Sequence, residues 1–136
     1  MEKRGQASIE MAIILAAGLI FLAAVLVLNQ DTLRTIDVQF RQTRTEAALE
    51  DIAHGAELVY QQGVGARTRV YVNFPNGLYN LSIDDTNRSI KIYYQVGGWA
   101  YRDFDFNVSG KFSVEEGSRW LALESKSIGV NISDTS

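Results

Sequence analysis

One uninterrupted apolar stretch, residues 11–28, constrains this chain more than any other feature. Its 18 residues are five Leu, five Ala, three Ile, two Val and one each of Phe, Met and Gly, so it contains no polar side chain. At about 1.5 Å per residue, an α-helix of this length spans roughly 27 Å, close to the hydrocarbon thickness of a bilayer. The sequence after Leu28 has the mixed composition of a soluble protein. We therefore predict a single membrane-spanning helix joined to a soluble remainder.

Two common kinds of N-terminal segment fit this stretch only in part. A secretory signal peptide has an apolar core of about 7–15 residues followed by a small-x-small cleavage site. Here the core is longer, and residues 27–29 form a poor cleavage site. A plain transmembrane anchor accounts for the length, and Lys3 and Arg4 would keep its N-terminus in the cytoplasm. Neither explanation accounts for Glu10.

Glu10 stands directly before the apolar stretch. A carboxylate at a helix centre costs about 2.5–3.5 kcal/mol on insertion scales, and less near the interface. The eleven Leu, Ile, Val and Phe residues that follow, at roughly −0.5 kcal/mol each, offset this cost. The position of Glu10 at the edge of the apolar stretch allows two interpretations. In the first, the carboxylate reaches the headgroups and water. In the second, it has a partner and a function within the membrane.

The residues around Glu10 form a recognisable motif. The segment from Lys3 to Glu10 reads Lys-Arg-Gly-Gln-Ala-Ser-Ile-Glu and passes directly into the apolar stretch. It resembles the class III signal of archaeal type IV pilin precursors, in which a basic leader ends in Gly and the mature chain starts Gln-x-Ser-x-Glu. The resemblance implies that residues 1–5 are a leader, that a membrane prepilin peptidase cleaves between Gly5 and Gln6, and that Gln6, Ser8 and Glu10 serve assembly.

The resemblance also implies what the processed chain does. A membrane-inserted precursor would become the subunit of an extracellular helical homopolymer for surface adhesion, helped by a pilus assembly ATPase and a platform protein. Glu10 would pair with the new amine of Gln6 on a neighbouring subunit, because two buried opposite charges compensate each other. An archaellin, a minor pilin, or a membrane-anchored extracellular binding module that forms no polymer are the alternatives.

The helix is predicted to continue beyond the membrane, over residues 6–62. Residues 29–60 contain no proline, and Gly63 and Gly65 supply a stop signal. Apolar residues recur at helical spacing in this part, and we expect them to pack against the following domain. They are Leu33, Ile36, Phe40, Leu49, Ile52, Ala56 and Val59.

From Arg67 onward the apolar residues alternate with polar ones, which is typical of strands. The predicted strands cover residues 67–74, 79–83, 90–96, 99–108, 112–114, 120–123 and 128–132. Gly97 and Gly98 predict a hairpin turn, and Tyr79 is expected on the same face as Leu81 and Ile83. The fold class is therefore α+β, a long helix followed by a small antiparallel β domain over residues 63–136, either a sandwich or a sheet wrapped on the helix.

Four Asn-x-Ser sequons lie in the β region, at Asn80, Asn87, Asn107 and Asn131. The chain has seven asparagines, and 17 of its 136 residues are Ser or Thr, so roughly one sequon is expected by chance. The excess predicts N-glycans, added by an N-glycosylation machinery, on an extracellular face. Ordinary polar strand and turn residues are the alternative.

Several kinds of chemistry lack the residues they need. The net charge of −3 argues against a nucleic-acid partner. There is no cysteine, and His54 is the only histidine, so we predict no catalytic site, no metal and no cofactor. Asp103 and Asp105 are interpreted as strand residues. The aromatic side chains are predicted to be mostly core or interface residues, with a sugar- or surface-binding patch as the alternative.

Overall fold

The computed structural model describes residues 2–84, 86 and 88–135. One long helix precedes seven strands, which confirms the predicted α+β class and gives a layout like that of type IV pilins. The elements are α1 (Glu2–Gln62), β1 (Arg67–Phe74), β2 (Leu78–Asp84), β3 (Ser89–Tyr94), β4 (Trp99–Asp103), β5 (Val108–Lys111), β6 (Gly117–Lys126) and β7 (Gly129–Asp134). The chain forms two compact units, which divide between Gln39 and Phe40.

The first unit is helical, and its described side chains are all exposed from Lys3 to Gln39. Leu and Ala dominate residues 11–28, and both favour a helix. Where polar sequence begins, the hydroxyls of Thr32 and Thr35 donate to carbonyls four residues earlier, at 3.1 and 3.0 Å. These helix residues therefore satisfy their own polar groups.

In the second unit, the last part of α1 buries one face in the β domain. The buried positions follow a helical period and are Thr45, Ala48, Leu49, Ile52, Ala53, Ala56 and Val59. The predicted packing is thus confirmed for Leu49 and the later members of the stripe. It is wrong for Leu33, Ile36 and Phe40, which are 65%, 54% and 53% exposed, because the core begins only at Thr45. As predicted, the helix ends at Gly63, whose φ of +98° suits glycine.

The strands form two sheets that share one core with α1. The order is β1-β6-β7-β5 in the four-stranded sheet and β2-β3-β4 in the three-stranded sheet. The pairings are antiparallel except that β5 pairs with β7 in parallel. Inward-facing residues from both sheets are almost fully buried, among them Phe74, Ile90, Ile92, Leu121, Leu123 and Ile132. The domain is therefore a small two-sheet structure that covers one face of a helix.

Two predicted strands differ in the structure. The predicted strand over 99–108 is divided, since β4 ends at Asp103 and β5 begins at Val108. Residues 112–114 form no strand, although Phe112 and Val114 are buried. The amide of Ser113 donates to Asp134 Oδ2 at 2.8 Å instead of to a strand partner. Alternating burial therefore arises here from an irregular connection, which the periodicity could not distinguish from a strand.

Strand β2 contains a bulge, which turns the side chain of Tyr79 to the face opposite the predicted one. Leu78 pairs with Tyr94 and Asn80 pairs with Tyr93, so Tyr79 is an extra residue between two successive partners on β3. Tyr79 is 61% exposed, so it does not share the inward face of Leu81 and Ile83 as expected. Tyr79 and Asn80 are both exposed as a result.

Gly55 permits a close approach between α1 and the four-stranded sheet. A Cβ atom at Gly55 would lie 2.4 Å from Val70 Cγ2 and 3.3 Å from Leu123 Cδ2. Real Cβ atoms essentially never come this close to a neighbour, so with any larger residue either the Val70 side chain or the helix must shift. Gly55 is therefore required by packing and not by backbone conformation.

We expect Gly55→Ala to lower the free energy of unfolding by on the order of 1 kcal/mol, because overpacking costs about 1–3 kcal/mol and the gain in helix propensity restores only about 1 kcal/mol. Denaturation of the detergent-solubilised full chain, followed by the fluorescence of its two tryptophans, measures this change. Val70→Ala should partly rescue the variant. Gly18→Ala is the control, since a Cβ there meets no atom within 4 Å. Unchanged stability of Gly55→Ala would contradict the close packing.

Tyr94 joins the three-stranded sheet to α1 through a buried hydroxyl. Burial raises the pKa of Tyr94 above its ordinary value of 10.0, the hydrogen bond with Thr45 lowers it, and the nearby Glu46 raises it further. The folded protein thus holds this proton more tightly than the unfolded chain does. The stability that follows is complete below pH 10 and is lost as the pH rises through the folded pKa.

We expect Tyr94→Phe to lose less stability than the wild type as the pH rises above 10, because the variant lacks the one buried phenol whose pKa falls on unfolding. Urea denaturation at a series of alkaline pH values measures the difference in slope. Removing the hydroxyl also leaves Thr45 without this partner, so the variant should be somewhat less stable at neutral pH. Equal slopes for the two proteins above pH 10 would contradict the assignment.

Candidate functional site

The residues predicted for processing and assembly lie at the start of α1. Gly5, Gln6, Ser8 and Glu10 are all helical and exposed. Gln6 and Glu10 are four residues apart and therefore share one face, with Cβ atoms about 5–6 Å apart in a regular helix. Ser8 is two residues from each and points to a different side. The helix thus brings Gln6 and Glu10 together and separates Ser8 from them.

If the chain is cleaved after Gly5, as the motif predicts, this spacing would give the new terminus two ways to be neutralised. A free amine at Gln6 would begin the helix, where unpaired N–H groups already make a positive end. Glu10 lies one turn away and can approach this end within its own chain. It can equally meet the terminus of a neighbouring chain. The exposed position of Glu10 leaves both geometries open to it.

Residues 11–28 present an apolar surface on every side of the helix. By length and composition this helix can cross a membrane. Its backbone hydrogen bonds are internal, which a lipid environment requires. At 100° per residue, Ala12, Ala16 and Ala23 fall within about 40° of one another around the axis. Small residues aligned in this way permit close contact between helices.

The described sequons differ in exposure. Asn80 is exposed on β2, and its Oδ1 accepts a hydrogen bond from the amide of Leu81 at 2.9 Å. Asn107 and Asn131 are half-buried. The hydroxyl of Ser109, which belongs to the Asn107 sequon, donates to Asn131 Oδ1 at 3.5 Å. The fourth, Asn87, lies outside the described residues.

Three ion pairs between described residues lie at the surface of the second unit. The nitrogen–oxygen distance is 3.0 Å between Arg67 Nη2 and Glu124 Oε1 and 2.8 Å between Arg102 Nη1 and Glu50 Oε2. It is 3.8 Å between Arg119 Nη1 and Asp134 Oδ1. Exposed pairs of this kind contribute about 0–1 kcal/mol each. Within residues 2–84, 86 and 88–135, no three His, Cys, Asp or Glu side chains lie close enough to hold a metal ion.

Two groups of aromatic side chains lie on the outer faces of the sheets, whereas the sequence predicted mostly core or interface residues. On the four-stranded sheet, the rings of Tyr71 and Trp120 are 5.1 Å apart. On the three-stranded sheet, Tyr93 lies 6.1 Å from Tyr79 and 6.5 Å from Trp99. Their alternation with buried neighbours is the sequence signal for an outward face, except at Tyr79, where the bulge hides it.

Comparison with known proteins finds no relative, since no protein-family model, no curated protein and no solved structure matches the chain. The functional interpretation therefore depends on the residues of α1 and of the sequons themselves.

We expect Asn80 to carry the highest glycan occupancy of the three described sequons, because it is exposed whereas Asn107, directly before β5, and Asn131, in β7, are half-buried. Glycopeptide mass spectrometry of protein purified from the source cells measures the occupancy at each site. Ser82→Ala is the control, since it removes the acceptor sequence at Asn80 and leaves the asparagine in place. A bare polypeptide mass, or occupancy confined to Asn131, would contradict this expectation.

Proposed function

We propose that this chain is the precursor of an archaeal type IV-like pilin. A prepilin peptidase removes residues 1–5, and the mature chain, beginning at Gln6, assembles through residues 11–28 into an extracellular filament. The β domain remains outside for surface adhesion. The observation that carries the proposal is an apolar helical surface that is exposed throughout and directly follows the Gly-Gln-x-Ser-x-Glu motif.

The apolar surface accounts for both stages of the proposed life cycle. Leu, Ile, Val and Phe side chains are exposed all around residues 11–28, and water is an unfavourable environment for them. A bilayer solvates this surface in the precursor. Copies of the same helix replace the lipid in a filament, where the alanine stripe of Ala12, Ala16 and Ala23 favours close packing.

Cleavage would prepare the helix for this exchange. The leader contains Lys3 and Arg4, which anchor a span on the cytoplasmic side, and its removal changes the net charge from −3 to −4. Gly5 is helical in the uncleaved chain, but glycine is about 1 kcal/mol less favourable than alanine in a helix, and the first N–H groups lack helical partners. Local opening at the scissile bond is therefore cheap, so the peptidase can reach an extended chain.

Glu10 would then set the register of assembly. A carboxylate buried among apolar helices without a partner carries a penalty of several kcal/mol. Pairing with the amine of Gln6 on a neighbouring subunit removes the penalty for both groups at one relative position of the two helices. Pairing within a single chain neutralises the same charges and fixes no register, so it competes with assembly.

We expect the protein to begin at Gln6 when it is recovered from cells that carry the peptidase and the assembly machinery, and to form filaments visible by electron microscopy. Glu10→Ala should be processed normally but should assemble on the order of tenfold less, because the amine of Gln6 loses its buried partner. Asp31→Ala is the matched control, since it removes the same charge from an exposed position of α1 beyond the apolar stretch.

In this experiment, N-terminal sequencing tests leader cleavage, and filament yield tests the pairing of Glu10. A solitary membrane protein that retains its starting residues would overturn the pilin proposal in favour of an anchored binding module. Filaments that begin at Gln6 but form equally well from Glu10→Ala would support the pilin and reject the pairing of Glu10.

A further inference from the structure

The outer face of the three-stranded sheet carries a row of aromatic side chains, which we name the aromatic row and define as Tyr79, Tyr93 and Trp99. Adjacent rings are 6.1 and 6.5 Å apart and are tilted by 46° and 57°. Trp99 is 58% exposed and Tyr79 is similarly open. One ring comes from each strand, so the row crosses the sheet. Exposed aromatic surface of this kind marks a contact site for a partner or a ligand.

The bulge in β2 places a glycosylation sequon in the same row. Asn80 is the register partner of Tyr93, and the bulge exposes both Tyr79 and Asn80 at this position. Asn80 Oδ1 accepts a hydrogen bond from the amide nitrogen of Leu81 at 2.9 Å. The other end of the side chain, Nδ2, is the atom to which an N-glycan is joined. The attachment point and the aromatic row are therefore neighbours on one face.

We propose that the N-glycan on Asn80 folds back and covers the aromatic row. The apolar C–H faces of sugar rings would pack against the negative faces of Tyr93 and Trp99, and the phenol hydroxyls and Lys91 would contact sugar hydroxyls. Lys91 precedes Tyr93 by two residues and faces the same side of β3. This inference rests on N-glycosylation of Asn80, which the sequon predicts.

Attachment at Asn80 distinguishes this occupant from a free carbohydrate or a second protein. A tethered group meets a nearby surface at an effective concentration in the range of about mM, so even weak stacking is populated. The other sheet offers a contrast. Asn131 has Glu124 as its register partner on β6 and not an aromatic residue. The aromatic pair of that face, Tyr71 and Trp120, lies four residues from Glu124 along β6, or roughly 13 Å away at about 3.3 Å per residue.

Fluorescence quenching tests whether the glycan covers Trp99. The full chain, made in its glycosylating host, is compared with Asn80→Gln in a Trp120→Phe background, so that Trp99 alone reports. We expect acrylamide to quench Trp99 less in the glycosylated protein, and removal of the Asn80 sequon to abolish this protection. Asn131→Gln, the matched control, should leave the quenching unchanged.

A double-mutant cycle tests whether contact between the glycan and the aromatic row stabilises the folded protein. Asn80→Gln should speed unfolding by about two- to tenfold when the row is intact, and should have little effect in Tyr93→Thr/Trp99→Thr. Threonine keeps the strand propensity of these two outward-facing positions, of which Tyr93 is half-buried and Trp99 exposed, so the variant should fold. Asn131→Gln should act equally in both backgrounds.

The outcomes separate this inference from the pilin proposal. An unmodified Asn80 in glycopeptide spectra overturns the inference, and so does a glycosylated Asn80 that neither protects Trp99 nor couples to the row. Loss of filaments from Tyr93→Thr/Trp99→Thr, even with Asn80→Gln, would assign the row to a subunit interface and overturn it as well. Filament yield and the Gln6 terminus, scored in the same cells, report on the pilin proposal independently.

Discussion

The fold of the β domain depends on one packing interaction, the burial of a single face of α1 between Thr45 and Val59. Each of the two sheets has one inward apolar face, and the residues of α1 complete the core that both sheets share. Gly55 lets the helix approach β1 closely. The hydroxyl of Thr45 donates a hydrogen bond to the carbonyl of Arg41 at 2.8 Å, so this polar residue can be buried in the interface. Seven short strands with little sheet area thereby obtain a continuous core.

The same helix carries a second kind of surface, and the difference is visible in its amino-acid pattern. Between residues 45 and 59, apolar and polar positions alternate with the helical period, which is how a helix faces a core on one side and water on the other. Residues 11–28 are apolar all round, which suits an environment that surrounds the helix. The first pattern is satisfied within the chain, and the second is compatible with insertion into a membrane.

Much of the fold could be predicted because its signals are local. Gly63 ends the helix, Gly97 and Gly98 make the hairpin, and the alternation in β1 gives the correct strand. The failures all depend on tertiary contacts. Ile36 continues the helical apolar period but is exposed, because the buried face of the helix begins only at Thr45. Phe112 is buried although its segment is irregular, and there the next amide, of Ser113, donates to Asp134 instead of to a strand partner.

The candidate sites divide along the same line. The motif from Gly5 to Glu10 is a linear signal, so the sequence alone displays it, and the helix adds only the shared face of Gln6 and Glu10. The aromatic row depends on register, since one extra residue in β2 turns Tyr79 outward and places it with Asn80 beside Tyr93. No periodicity in the sequence contains that information, because a bulge inverts the alternation from which faces are inferred.

The proposed cleavage and assembly would leave the folded part of the chain undisturbed, because the two surfaces belong to different parts of the sequence. The core of the β domain begins at Thr45, far along the chain from the proposed cleavage after Gly5. Removing Lys3 and Arg4 changes charge and membrane anchoring, and neither residue belongs to that core. The free energy of unfolding of the β domain should therefore be nearly independent of the step that frees the helix. Outward residues of the sheets, including Asn80 and its aromatic neighbours, are likewise free to meet the exterior because the inward faces alone hold the domain together.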